Sequence, residues 1–280
     1  APVTRIAVFY KEDGSADTYF IPAELPVHTF IDTQIIAESP DEYFWAGIGD
    51  AFSKGPEVEL SSREVELLHS PLMGRALAAG ACIEPLFDNA EQALADKRAG
   101  IVSEAFENVV LNIIITAGVV SNMTTNIGAE RGAYYFNSST AHAFYNAFTA
   151  LGERGEKHLH GEVVSFGTCV LYAFDGNLKA LEEQVALNRK LGLPTTLADL
   201  DITPESADAD LDIIVERAQK TNEWGRAPYG FTTDRFRQAI LDTDAYGRAV
   251  ASGEKDQEAA ALDVIAAHAP SAETAVPRKM

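Results

Sequence analysis

The chain has 280 residues, 46% of them hydrophobic and 23% charged, a composition typical of a soluble globular protein with room for one large domain or two. Its net charge of −20 excludes sequence-independent binding to nucleic acid phosphates or anionic lipid, so neither nucleic acid nor a membrane is an expected partner. Cys82 and Cys169 are too few for a disulfide framework and read as buried thiols of a protein in the reducing cytoplasm.

In chain order, Val3 to Tyr10 is β-branched and aromatic enough for a strand. Asp13-Gly14 offers a hairpin turn into Thr18 to Ile21, and Val27 to Ile31 is a third strand candidate. Ser39-Pro40-Asp41-Glu42 then starts a helix, with Ser39 as N-cap and Glu42 completing a capping box. From there almost every segment reads as helix: Ser62 to Ala79, Asn89 to Arg98, Ile101 to Val120, Ser139 to Leu151, Gly161 to Phe174, Asn177 to Leu191, Asp208 to Thr221 and Thr233 to Thr243. Gly80, Gly152, Gly192 and Gly247 are expected helix stops. The apolar run Val109 to Val120 is too short to span a bilayer and reads as a buried helix. A last helix is expected near Gln257 to His268, followed by a disordered end. The fold class is therefore mainly α. Residues 1–38 form a short β portion, 39–251 a helical domain, and 252–280 a terminal helix and tail. Three strands make no independent sheet, and they read as the edge of a larger α/β domain.

Chemistry points to histidine. Of six histidines, two lie in Gly155 to Gly167, GEKHLHGEVVSFG. His160 falls at a helix start, where the dipole disfavours added positive charge and favours the neutral imidazole that binds metal. His158 lacks that placement and reads as a surface residue. His142 shares a helix face with Asn146 at i,i+4, although a lone histidine on an apolar helix is more often a core residue. Asp50, in WAGIGDAFSK, is the acidic candidate: Gly47 and Gly49 let the backbone bend around a site, and the alternative is a cap on a helix beginning at Ala51. Glu162 is near enough to support a histidine, but reads better as a first-turn helix charge. No HExxH, CxxC, P-loop or GxSxG pattern occurs, which argues against metalloprotease, NTPase and serine hydrolase chemistry.

The opening strand, GIGDAFSK, STAHAFYNAFTAL, HGEVVSFG and the later APYGFTTDRFRQAILDTDAYGR together resemble the iron-containing, or metal-dependent, alcohol dehydrogenase family in its glycerol dehydrogenase branch. The resemblance implies a dehydroquinate synthase-like fold. An N-terminal dinucleotide-binding domain, of which residues 1–38 are a remnant, precedes a helical catalytic domain in that fold. It also implies that Asp50, His142 and His160 are metal ligands, for zinc with iron as the other possibility. Thr4, Ile6 and Val8 would line the nicotinamide end of an NAD pocket. The implied activity is oxidation of glycerol or a small vicinal diol to the hydroxyketone by a homo-oligomer. A 2-hydroxy acid or another small alcohol is the alternative substrate, and a silent helical subunit the alternative role. Two departures accompany the resemblance. The glycine-rich pyrophosphate loop is not among these residues, and Tyr145 stands where the branch often carries a second histidine.

Overall fold

The computed structural model describes residues 3–4, 6–12, 16–20, 28–126 and 133–270. Two strands, β1 (Ile6–Tyr10) and β2 (Ala16–Phe20), pair as an antiparallel hairpin with Ile6 opposite Phe20. The expected Asp13-Gly14 turn and Val27 lie outside the described residues, and His28 to Ile31 carry no strand. Thirteen helices follow among the described residues. They are α1 (Thr33–Glu38), α2 (Asp41–Ser62), α3 (His69–Ala79), α4 (Glu84–Arg98), α5 (Glu104–Leu111), α6 (Ala117–Met123), α7 (Thr140–Phe148), α8 (Glu153–Lys157), α9 (His160–Asp175), α10 (Leu178–Leu191), α11 (Ala207–Ala218), α12 (Thr233–Ser252) and α13 (Lys255–His268). A two-residue ladder of β3 (Thr125–Asn126) with β4 (Tyr134–Tyr135) bridges α6 and α7.

The molecule is organised on the crossing of α2 and α9. α9 is apolar on every face, Val163 through Phe174 being almost wholly buried, as a central helix must be. Around it α7, α10, α11, α12 and α13 bury Phe144, Phe148, Phe166, Leu181, Ile214, Phe236 and Ile265. A second cluster joins Phe44, Ile48 and Phe52 of α2 to Leu86 and Leu94 of α4, Phe106 and Val109 of α5 and Leu191 of α10. The two cores meet where α2 and α9 touch backbone to backbone. A Cβ on Gly161 would collide with the Ala46 carbonyl, and one on Gly49 with the Gly161 carbonyl.

Several boundaries differ from the expectations. Ser39 closes α1 by bonding the Ile36 carbonyl (2.7 Å) and gives α2 no side-chain cap. Asp50 lies in the interior of α2, neither bending the chain nor capping a helix. α3 begins at His69 rather than Ser62. The break holds Glu64 at φ 56°, and Arg63 turns away to pair with Glu59 and Asp175. Gly247 does not stop α12, because it sits under the Thr195 carbonyl; the helix runs on to Gly253, at φ 74°. Glu104–Met123 is one helical run, α5 and α6 joined by a π turn at Asn112–Thr116, and it is long and apolar enough by composition to cross a membrane. It packs on α2, α3 and α4, burying Phe106, Val109, Val110 and Val120. Cys82 and Cys169 are free and buried, as expected, and burial pushes the Cys82 thiol up to about 11.

Candidate metal centre

Three elements converge on one point. α2 presents Asp50, α7 presents His142 and the first residue of α9 is His160, with their ligand atoms all within 4.8 Å of one another. Asp50 Oδ1 lies 3.2 Å from His160 Nε2 and 3.5 Å from His142 Nε2. The rings of His142 and His160 are 5.3 Å apart. Gly161 explains why α9 can start here: lacking a side chain, it lets its helix approach α2 until His160 reaches Asp50.

Glu57, two turns after Asp50 on the same helix, organises the centre and was not recognised from sequence. It is fully buried. Oε1 accepts from the backbone amides of Ser139 (2.8 Å) and His142 (2.9 Å), and Oε2 faces His142 Nδ1 at 2.6 Å. A carboxylate from α2, not Ser138, Ser139 or Thr140, therefore satisfies the start of α7. With Nδ1 committed to Glu57, Nε2 of His142 faces Asp50 and His160. The spacing Asp50, Lys54, Glu57 puts three charges on one face of α2, but nothing in that spacing points to α7.

The electrostatics follow from this crowding. Burial works against the Asp50 carboxylate, but the charge of His160 and hydrogen bonds from both imidazoles overcome it and hold the carboxyl well below its ordinary value. Burial likewise opposes protonation of His142, yet Glu57 and Asp50 raise it to about 10. His160 moves the other way: burial lowers it and the nearby His142 charge adds to this, outweighing Asp50. The crowding thus favours the protonated form of His142 and the neutral form of His160.

The centre opens into a cavity of about 120 Å³ lined also by Thr4, Val8, Lys54, Ser121, Tyr135, Asn137, Ser138, Asn146 and Glu223. Lys54 Nζ donates to the carbonyl (3.1 Å) and Oδ1 (2.8 Å) of Asn137, whose Oδ1 also accepts from Ser121. Thr4 and Val8 reach this cavity from the β1 segment; Ile6 lies in β1, and its side chain is outside the described atoms. Tyr145 stands edge-on to His160 at 4.2 Å, and its hydroxyl bonds Tyr10 (2.7 Å), so it packs against the centre. His158 is not the surface residue expected. Its ring is bound by Glu162 (2.9 Å) and Asp201 (3.0 Å), while Glu162 also accepts from Leu159 N (3.0 Å). Glu162 thereby secures the start of α9 and does not touch His160.

Similarity to known proteins agrees with this construction. No family model matches the chain. A glycerol dehydrogenase of Escherichia coli is 31% identical over 253 residues, which are 89% of this chain and 65% of that protein. One from Pseudomonas putida is 30% identical over 253 residues, 89% of this chain and 66% of its own length. The crystal structure of a probable glycerol dehydrogenase from Sinorhizobium meliloti superposes with a TM-score of 0.76 at 28% identity, over 88% of this chain and 67% of that one. The class is thus the helical part of an alcohol-dehydrogenase fold, with its candidate centre between α2, α7 and α9. The chain's relatives are glycerol dehydrogenases, and its structural neighbours come from the iron-containing alcohol dehydrogenase superfamily. It spans about 65% of the length of the curated relatives it matches.

Proposed function

We propose that the protein oxidises glycerol or a related small vicinal diol to the hydroxyketone, with NAD as hydride acceptor and a divalent metal at Asp50, His142 and His160. The observation that carries this reading is the donor set itself. One carboxylate and two imidazoles converge within 4.8 Å, and the second nitrogen of His142 is fixed by a buried carboxylate. That chemistry fits zinc or ferrous iron. When bound there, such an ion polarises the substrate hydroxyl and lowers its pKa.

The remaining work belongs to the chain. Glu57 orients His142, and Tyr145 holds the His160 ring. Thr4 and Val8 also line the cavity and, with Ile6 of β1, are the residues that would hold the nicotinamide end of NAD. The cavity is polar, and Glu223, Asn146 and Ser138 in its wall offer hydrogen-bonding groups to a polyol.

Metal content and NAD reduction test this together. Zinc should bind stoichiometrically, Asp50→Ala or His160→Ala should abolish it, and His158→Ala should retain it. The zinc-loaded protein should reduce NAD with glycerol and 1,2-propanediol in preference to 2-hydroxybutyrate. Silence toward all three, or unchanged zinc in the first two variants, overturns the proposal.

A further inference from the structure

Glu223 is the one carboxylate of the cavity that the metal chemistry does not use. It lies in the turns between α11 and α12, buried to 3% exposure, and Trp224 beside it is anchored edge-on against Phe231 and Phe236. Its Oε1 meets the hydroxyls of Tyr135 (3.0 Å) and Ser138 (3.1 Å), and its Oε2 accepts from Asn146 Nδ2 (3.2 Å). Among the described residues no cation forms an ion pair with it. Arg226 lies over the Tyr135 ring at 5.2 Å and donates to the Tyr135 carbonyl, and Lys220 pairs with Glu216. Tyr135 and Ser138 also bond each other, so one of their protons is used there. With Asn146, two donors reach a carboxylate of about four acceptor sites, which leaves roughly two open on a side chain that lines the cavity.

The position of that acceptor is set by α7. Asn146 follows His142 by one helical turn, about 6 Å along the axis, so Glu223 is held one turn from the imidazole at the metal centre. A three-carbon polyol whose reacting hydroxyl lies at the centre has a further hydroxyl to donate at that distance. A carboxylate in the same place would lie against the Glu223 carboxylate, which pairs with no cation among the described residues. Tyr135 reinforces the arrangement. Burial, together with the Glu223 charge, raises its phenol well above the ordinary value, so it stays a neutral donor.

We infer that Glu223 is the specificity-determining residue of the site, accepting a hydrogen bond from the hydroxyl distal to the reacting carbon and repelling 2-hydroxy acids. The inference rests on the polyol reading above but not on turnover, so the two can fail separately. The test is calorimetric titration of the zinc-loaded protein with glycerol and with 2-hydroxybutyrate. In Glu223→Gln, glycerol should bind about tenfold more weakly, and its preference over 2-hydroxybutyrate should narrow by tenfold or more, with zinc stoichiometry unchanged. Glu223→Asp keeps the charge and shortens the reach, so it should weaken glycerol while still excluding the acid. That second variant decides the matter if the first does not fold. An unchanged preference in Glu223→Gln, a parallel loss for both ligands, loss of zinc, relaxed exclusion in Glu223→Asp, or no glycerol binding by the unaltered protein overturns the inference. Glycerol binding that responds to Glu223 as expected, in a protein that reduces no NAD, sustains the inference and sinks the dehydrogenase reading instead.

Discussion

Glu57 is fully buried, yet its two oxygens meet three donors: the amides of Ser139 and His142, and Nδ1 of the same histidine. A group in that position would act on a bound metal only through His142, by fixing its ring and raising its basicity. Glu57→Gln should keep much of the shape and lose the charge. Zinc affinity should then drop about 10- to 100-fold, measured by competition with a chelating dye. Equal affinity in the variant would show that His142 needs no partner. A different carboxylate tests the stability of the scaffold. Burial works against the Asp210 charge, but the two-pronged bond from Arg154 (2.5 Å on each side) and the Ser206 hydroxyl keep its carboxyl below the ordinary value. A depressed folded value means the pair stabilises above the unfolded value of about 3.9 and is lost as pH falls through the folded one. Asp210→Asn should therefore cost about 1–3 kcal/mol in urea unfolding at neutral pH, and the difference should shrink toward about pH 3. A gap between the two proteins that is the same at both pH values contradicts the assignment.

At the scale of elements, the site exists because α9 lies against α2 without an intervening side chain. Gly161→Ala would drive a methyl group into the Ala46 carbonyl and against Asp50 N (2.9 Å). The helices must then separate, at a cost of about 1–3 kcal/mol, carrying His160 away from Asp50. The variant should lose both stability in urea and stoichiometric zinc. Gly80→Ala, with nothing within 4 Å of the new methyl, should change neither. The same glycines explain what the sequence concealed. Helices were legible from periodicity, and Gly152 and Gly192 do end theirs at φ 60° and 73°. Gly49 and Gly247 look identical in the sequence but lie inside helices, where another backbone passes over them. Hence Asp50 was placed at a helix start when it is mid-helix, and α12 was cut short. Asp50, His142 and His160 came together as a set through the family resemblance of the motifs that carry them, since His142 and Asp50 each had an ordinary structural reading of their own. Glu57 and Glu223 were not legible, since each acts on α7 from 77 to 85 residues away and no local pattern marks an interhelical hydrogen bond. His158 was misjudged for a related reason, since its partner Asp201 lies 43 residues on.

At the scale of the whole molecule, the candidate centre is built entirely from helices. Asp50, His142 and His160 come from three helices spread over more than a hundred residues, so an ion that binds all three ties together α2, α7 and α9 and with them both hydrophobic cores. Binding that requires the folded arrangement must stabilise it by mass action, by about 2.7 kcal/mol when free zinc is a hundredfold above its dissociation constant. For a chain of 280 residues that is a rise in Tm of roughly 4–5 °C. Calorimetric scans should accordingly show a zinc-concentration-dependent rise in Tm that chelator reverses and His160→Ala abolishes. An absent zinc shift would remove the metal centre from the account.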